Sequence, residues 1–316
     1  MQLKGVMYMR KDILNLLSPN IRRELAGISS DKLNEIRLRT DKPLILTENN
    51  REYFVNNGVL RKRYAEELYI VSESDLKETM EFITNYSLYA YNDELKKGFI
   101  TVSGGHRIGI CGKVVYEDEK IKTIRNIQSM NIRVSHQIVG CGEKIVPYLK
   151  TPDYENTLII SSPGMGKTTL LRDLIRILSN QGANVGVVDE RSEIASCYLG
   201  KPQNDVGIRT DILDCCQKKD GMLMLVRSMR PDIIAVDEIG GEEDAKALQY
   251  ISLCGCKILA TIHAGSLCEL EHKSGIKEIL QLGLFKRFIL CERTETGAFI
   301  RTVYNEEKRQ VCVCDG

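Results

Sequence analysis

The chain has almost no excess of charge of either sign. It has 44 Lys and Arg against 43 Asp and Glu in 316 residues, a net charge of +1. That balance excludes a protein built mainly to coat nucleic acid and leaves room only for a local basic patch. Aromatics are scarce at 6%, which counts the same way. No apolar run approaches the ~18 residues that span a bilayer. The amino-terminal stretch MQLKGVMYMRKDILNLL has no apolar core followed by small residues, so no secretory signal is expected. A cytoplasmic chain follows, free to dock on a membrane complex. No Cys-x-x-Cys and no His pair at zinc spacing occurs among the 11 cysteines and 4 histidines. The cysteines read as reduced thiols acting as small hydrophobes. Two Cys-x-Cys pairs, Cys254/Cys256 and Cys312/Cys314, are spaced more closely than zinc ligands usually are. Internal repeats and low-complexity tracts are absent.

What is present is an ordinary globular composition, 43% hydrophobic and 28% charged, with length for about two domains. Residues 1–145 mix α and β. Ile13, Leu14, Leu16, Leu17, Ile21 and Leu25 recur at helical spacing, interrupted by Pro19. Glu35 to Arg39 alternates like a strand, and Pro43 to Thr47 follows a turn. A helix capped by Ser74 is expected to Asn85. Residues 98–115 read as a hairpin turning at Ser103-Gly104-Gly105, and Ile127 to Val134 as a strand. Gly140-Cys141-Gly142, Pro147 and Pro152 mark a linker. From about 150 to 270 short apolar runs alternate with helical stretches, the pattern of a mainly parallel α/β sheet. Strands are expected at 157–161, 185–189, 233–237 and 257–261. The tail should add a helix at 274–282 and strands at 285–291, 298–304 and 310–313, with turns at Thr296-Gly297 and Asn305-Glu306.

The stretch LIISSPGMGKTTLLRDLIRIL, 158–178, is a buried strand, a glycine-containing loop and a helix with Leu170, Leu171, Leu174, Ile175 and Leu178 on one face. Such a loop turns backbone N–H groups onto phosphate oxygens, helped by the helix N-terminus. Ser162, Pro163, Gly164, Met165, Gly166, Lys167, Thr168 and Thr169 are the candidate nucleotide-binding residues. Lys167 reaches the β- and γ-phosphates, and the Thr168 hydroxyl meets Mg²⁺. Ser161 stands where the full phosphate-loop pattern has its first glycine, which is harmless only if its backbone suits an L-residue.

A nucleotide-hydrolysing site also needs carboxylates. Ile233 to Val236 forms a buried strand with Asp237 and Glu238 at its carboxyl end, the end that carries ligands in open α/β sheets. Asp237 is the candidate Mg²⁺ residue and Glu238 the group that polarises the attacking water. Val185 to Asp189 ends in the same way, making Glu190 a second acidic candidate. A third strand leads to His263, a candidate sensor of the γ-phosphate.

These elements, in this order, resemble the secretion-superfamily ATPases, the type II and type IV secretion and pilus-retraction motors. Walker A falls at 161–168, an Asp-box-like element at 189–193, Walker B at 232–238 and a His-box-like element at 260–264. A more specific resemblance is to the stage III sporulation AA family of endospore-forming Firmicutes. It is carried by EIRLRTDKPL at 35–44, GFITVSGGHRIGICGKVV at 98–115, VVDERSEIASCYLGKPQNDVGIRTDILD at 187–214 and MLMLVRSMRPDIIAVDEIG at 222–240.

The resemblance implies a RecA-like P-loop ATP-binding domain at 146–316 behind a smaller α+β domain at 1–145. It also implies ATP and Mg²⁺ as cofactors and a homohexameric ring with ATP at subunit junctions. Such a ring is expected in the mother-cell cytoplasm, energising a channel to the forespore built with other stage III sporulation proteins. An arginine from a neighbouring amino-terminal domain would reach the phosphates. Arg107 and Arg133 are the candidates by motif position, with Arg209 and Arg230 as competitors. No nucleic-acid partner is expected. Two rival readings remain: a DNA-stimulated motor of similar fold, and a nucleotide-binding assembly module with little turnover, which Ser161 would favour.

Overall fold

Runs that are apolar at every position form the middle of the larger sheet. The structure, a computed structural model, describes residues 9–29, 32–49, 51–64, 67–150, 152–272, 277–294 and 299–315. The chain divides into two units, Met1–His136 and Gln137–Gly316.

The first unit opens with α1 (Lys11–Leu14) and α2 (Pro19–Leu25). Pro19 starts α2 rather than merely breaking a helix, because the Ser18 hydroxyl accepts the Ile21 N–H and caps it. Six strands follow: β1 (Leu33–Arg39), β2 (Lys42–Pro43), β3 (Ile45–Glu48), β4 (Arg51–Asn56), β5 (Val59–Arg61) and β6 (Ile70–Val71). Then come α3 (Glu73–Ile83), α4 (Asn92–Lys96), β7 (Phe99–Thr101), β8 (Arg107–Glu117) and β9 (Lys120–Arg133). Seven strands make an antiparallel sheet in the order β5-β4-β3-β1-β9-β8-β7. On β1, Ile36 and Leu38 are fully buried while Arg37 and Arg39 take the opposite face.

Two sequence expectations shift here. The cap of α3 is Ser72, not Ser74. Ser72 accepts the Asp75 N–H, and Asp75 accepts the Ser72 N–H. That capping box moves the helix start two residues back. The hairpin at 98–115 is present as β7 and β8, but β8 runs on to a second hairpin with β9. Its turn residues, Asp118 and Glu119, have φ of 48° and 61°.

The second unit holds β10 (Thr157–Ser161), α5 (Lys167–Asn180), β11 (Val185–Asp189), β12 (Thr210–Asp214), α6 (Lys218–Ser228), β13 (Ile233–Val236) and α7 (Glu242–Leu253). It continues with β14 (Lys257–His263), α8 (Leu267–His272), α9 (Lys277–Gln281), β15 (Arg287–Arg293), β16 (Phe299–Tyr304) and β17 (Gln310–Asp315). The sheet order is β12-β11-β13-β14-β10-β15-β16-β17. The strands from β12 to β15 are parallel, and β16 and β17 add antiparallel.

Every residue of β10, β11 and β13 is buried because both faces are covered. Ile159, Val187 and Ala235 pack with Leu170, Leu174 and Leu178 of α5. Ile160, Ile234 and Val236 pack in a separate cluster with Leu225 of α6 and Leu248 of α7. This is the α/β, RecA-like layering with a mainly parallel sheet. Of the tail helix expected at 274–282, residues 274–276 lie outside the described residues, as does the turn at Thr296-Gly297. No helix among the described residues is long and apolar enough to cross a membrane.

Candidate functional site

The loop between β10 and α5 is built by two glycines. Gly164 and Gly166 sit at φ 77° and 80°, a region costly for residues with a Cβ. Gly166 is the residue immediately before α5. Residues 162–166 reach the surface while Lys167 is buried, so the first N–H groups of α5, which have no partner within a helix, face an approachable loop. Ser161 is the last residue of β10, fully buried and paired with His263 of β14 and Cys291 of β15. It keeps ordinary strand backbone, and its hydroxyl donates to the Ser162 carbonyl at 3.0 Å.

The sheet order places β14 between β10 and β13. The carboxyl ends of these three parallel strands therefore bring Lys167, Thr168, Asp237, Glu238 and His263 together. The Lys167 ammonium donates to Glu238 Oε1 at 2.9 Å and to Asp237 Oδ1 at 3.3 Å. The Thr168 hydroxyl donates to Asp237 Oδ2 at 2.7 Å. His263 closes β14 rather than following it, with Nε2 2.8 Å from Glu238 Oε1.

Two residues not read from the sequence complete this network. The buried Thr261 hydroxyl donates to Asp237 and accepts the Glu238 N–H at 2.9 Å. Arg191 lies 3.1 Å from Glu238 Oε2. The available signals were slight: a polar residue two positions before His263, and a cation immediately after Glu190.

Glu238 has φ 55°, a strained value for a non-glycine residue. Partial burial alone would raise its pKa. The hydrogen bonds from Lys167 and His263 and the charges of Lys167 and Arg191 overcome that and bring it to about 2.

The second acidic element divides in two. Asp189 is buried and accepts the N–H groups of Glu193, Ile194 and Ala195 at 2.8, 3.0 and 2.8 Å. Its carboxylate is occupied in shaping the loop after β11. Arg172 of α5 reinforces that loop by donating to the Glu193 and Ile194 carbonyls. Glu190 points instead to Lys218 at 2.7 Å and lines a small cavity with Arg191, Asp237 and Glu238.

In the first unit, Arg107 and Arg133 face each other across β8 and β9. The Arg107 guanidinium lies over the Phe99 ring, 3.6 Å from its centroid, and Arg133 is 3.9 Å from a Glu35 carboxylate oxygen. Arg209 and Arg230 precede β12 and β13. They stand at the amino ends of those strands, the end away from their own chain's Lys167.

Comparison with known proteins agrees with this architecture. The pilus retraction motor PilT, solved with bound ADP, superposes with a TM-score of 0.58 at 12% identity, covering 86% of this chain and 79% of that one. The ATPase DotB of Legionella pneumophila gives 0.52 at 16% identity, covering 87% and 77%. At these identities the likeness shows the fold. In sequence, the stage III sporulation protein AA of Bacillus subtilis strain 168 is 34% identical over 304 residues, 94% of this chain and 95% of that one. The family model described as "Sporulation stage III, protein AA" matches residues 7–311. With that span and that identity, the chain belongs to the sporulation stage III AA family.

Proposed function

We propose that this chain is an ATP hydrolase acting as a homohexameric ring. In this reading it works from the mother-cell cytoplasm and energises a channel to the forespore together with other stage III sporulation proteins. One observation carries the proposal: Lys167, Thr168, Asp237, Glu238 and His263 converge at the carboxyl ends of parallel strands, beside a loop opened by Gly164 and Gly166. Family membership supports the sporulation setting.

The residues divide the work. Backbone N–H groups of 164–169 hold the phosphates. Lys167 exchanges its two carboxylates for β- and γ-phosphate oxygens. That exchange frees a lone pair on Glu238 Oε1 to accept a hydrogen bond from water and aim it at the γ-phosphorus. His263 and Arg191 continue to hold the Glu238 pKa down, and a weak base suits a reaction governed by positioning and charge rather than early proton removal. His263 and Arg191 hold Glu238 in its orientation. Thr168 Oγ1 and Asp237 Oδ2, hydrogen-bonded at 2.7 Å, are oxygen donors that fit Mg²⁺, which keeps several waters; Thr168 would hold it directly and Asp237 through a water. The ion would supply positive charge to the phosphate oxygens. Arg107 or Arg133 of an adjacent subunit would add a further cation. The ordinary strand backbone at Ser161 removes the main argument for a module without turnover.

The test is Mg²⁺-ATP turnover as protein concentration rises, with Glu238→Gln as the blank. Specific activity that climbs with concentration, with or without DNA, is the expected result. Activity that appears only with DNA, or nucleotide-dependent assembly with no turnover, would overturn the proposal.

A further inference from the structure

The two Cys-x-Cys pairs have the same spacing and different fates. Cys254 ends α7, Gly255 turns at φ 82°, and the buried Cys256 thiol donates to the Pro231 carbonyl at 3.2 Å. Their sulfurs are not joined. Cys312 and Cys314 lie on one strand, β17, where alternate residues share a face. Their sulfurs are 3.1 Å apart. Two residues of strand advance about 6.6 Å, at the upper end of the roughly 4.4–6.8 Å that a disulfide spans between Cα atoms. Among the described residues β17 is the edge of its sheet, paired only with β16, so it can adjust on its open side.

We propose that Cys312 and Cys314 form a dithiol modification site, closed to a disulfide by a peroxide-class oxidant and reopened by low-molecular-weight thiols. Cys312 is half-buried and Cys314 buried. Burial, then the hydrogen bond with Cys312, push the Cys314 thiol up to about 11. Cys312, the more exposed of the two, is the sulfur that an oxidant reaches first. Its thiolate attacks a peroxide oxygen, the O–O bond breaks, and the departing hydroxide takes up the proton the thiol released, leaving a sulfenic acid and one water. The Cys314 sulfur then attacks the sulfenic sulfur, and its proton leaves with the hydroxyl as a second water. Two thiols are oxidised and one peroxide is reduced. Reopening transfers the two electrons back from two small thiols, which leave as their own disulfide.

The site bears on the helix that follows the phosphate loop. The Cys314 thiol donates to the Lys144 carbonyl at 3.7 Å, and Arg301, which pairs with Cys314 across the sheet, donates to the Cys141 carbonyl. The same segment is tied to α5, since the Gly140 and Gly142 N–H groups donate to Asp173 at 3.1 and 2.7 Å. Closing the disulfide removes the Cys314 hydrogen bond and loosens this strap.

Trypsin separates the two pairs cleanly, because 247–257 contains only Cys254 and Cys256, and 310–316 only Cys312 and Cys314. The full chain is exposed to dilute hydrogen peroxide, alkylated in denaturant, digested and weighed. Peptide 310–316 should take no label and weigh about 2 Da less than its reduced form, while 247–257 takes two labels. Dithiothreitol should restore both labels to 310–316, and Cys312→Ser should leave Cys314 singly labelled. Hydrogen exchange in 140–146 should rise on oxidation. Two labels persisting on 310–316, a sulfinic product, a cross-link to another cysteine or unchanged exchange in the strap would each overturn the proposal.

Discussion

Lys167 Nζ lies 2.9 Å from Glu238 Oε1, so the cation of the phosphate loop rests on the carboxylate proposed to aim the water. The site is neutralised from within, and phosphates must draw Lys167 away. Lys167→Ala should weaken ATP binding about 100-fold or more, since it removes charge-assisted bonds of ~1.5–3 kcal/mol each and leaves Asp237 and Glu238 facing the phosphates unopposed. Titration calorimetry reads this directly, and unchanged affinity would remove Lys167 from the phosphate site.

Thr261 links the two acids through one hydroxyl. Thr261→Val keeps the shape and deletes both bonds. We expect a stability loss of about 1–3 kcal/mol, since the Glu238 N–H loses its partner, and a fall in turnover of about tenfold or more from misplacement of Glu238. Urea unfolding and steady-state assays measure the two effects. Wild-type turnover in Thr261→Val would show that Glu238 needs no such anchor.

Asp189 accepts three backbone N–H groups. Asp189→Ala should cost about 3 kcal/mol or more, because three backbone donors, those of Ile194 and Ala195 buried, lose their acceptor at once. A lowered melting temperature with raised hydrogen exchange across 190–196 would show it. A neutral effect would mean that water replaces the carboxylate.

His106 gives the first unit a pH dependence. The ring is fully buried, Nδ1 accepts the Ser135 N–H at 3.0 Å, and Nε2 lies 3.2 Å from Asp12 Oδ2. Burial pushes its pKa below the ordinary 6.5, and the Arg10 and His136 charges act the same way against the opposing pull of Asp12. The unfolded chain therefore takes a proton first as pH falls. The stabilising contribution is complete above 6.5 and is lost as pH drops below it. Urea midpoints between about pH 7.5 and 5.5 should fall more steeply in the wild type than in His106→Gln; equal slopes would refute the assignment.

Much of this was legible because parallel strands covered on both faces are apolar throughout. Thr157–Ser161, Val185–Asp189 and Ile233–Val236 announce themselves in this way. The edge strand Thr210–Asp214 does not, being half-buried and polar at both ends. The Asp118-Glu119 turn carries no glycine to mark it, and Ser72 and Ser74 compete as caps until Asp75 decides between them. Lys167, Thr168, Asp237 and Glu238 are readable because strand ends and loop glycines are local features. Thr261 and Arg191 are not, because their contacts depend on which strands become neighbours.

The most direct measurement compares wild type with Glu238→Gln for both ATP affinity and Mg²⁺-dependent turnover. Gln keeps the size and one accepting oxygen but loses the charge that orients water, and its NH2 cannot accept from Arg191. The account predicts retained binding and turnover slower by ~10²–10⁴. Turnover near wild type, with binding intact, would contradict it.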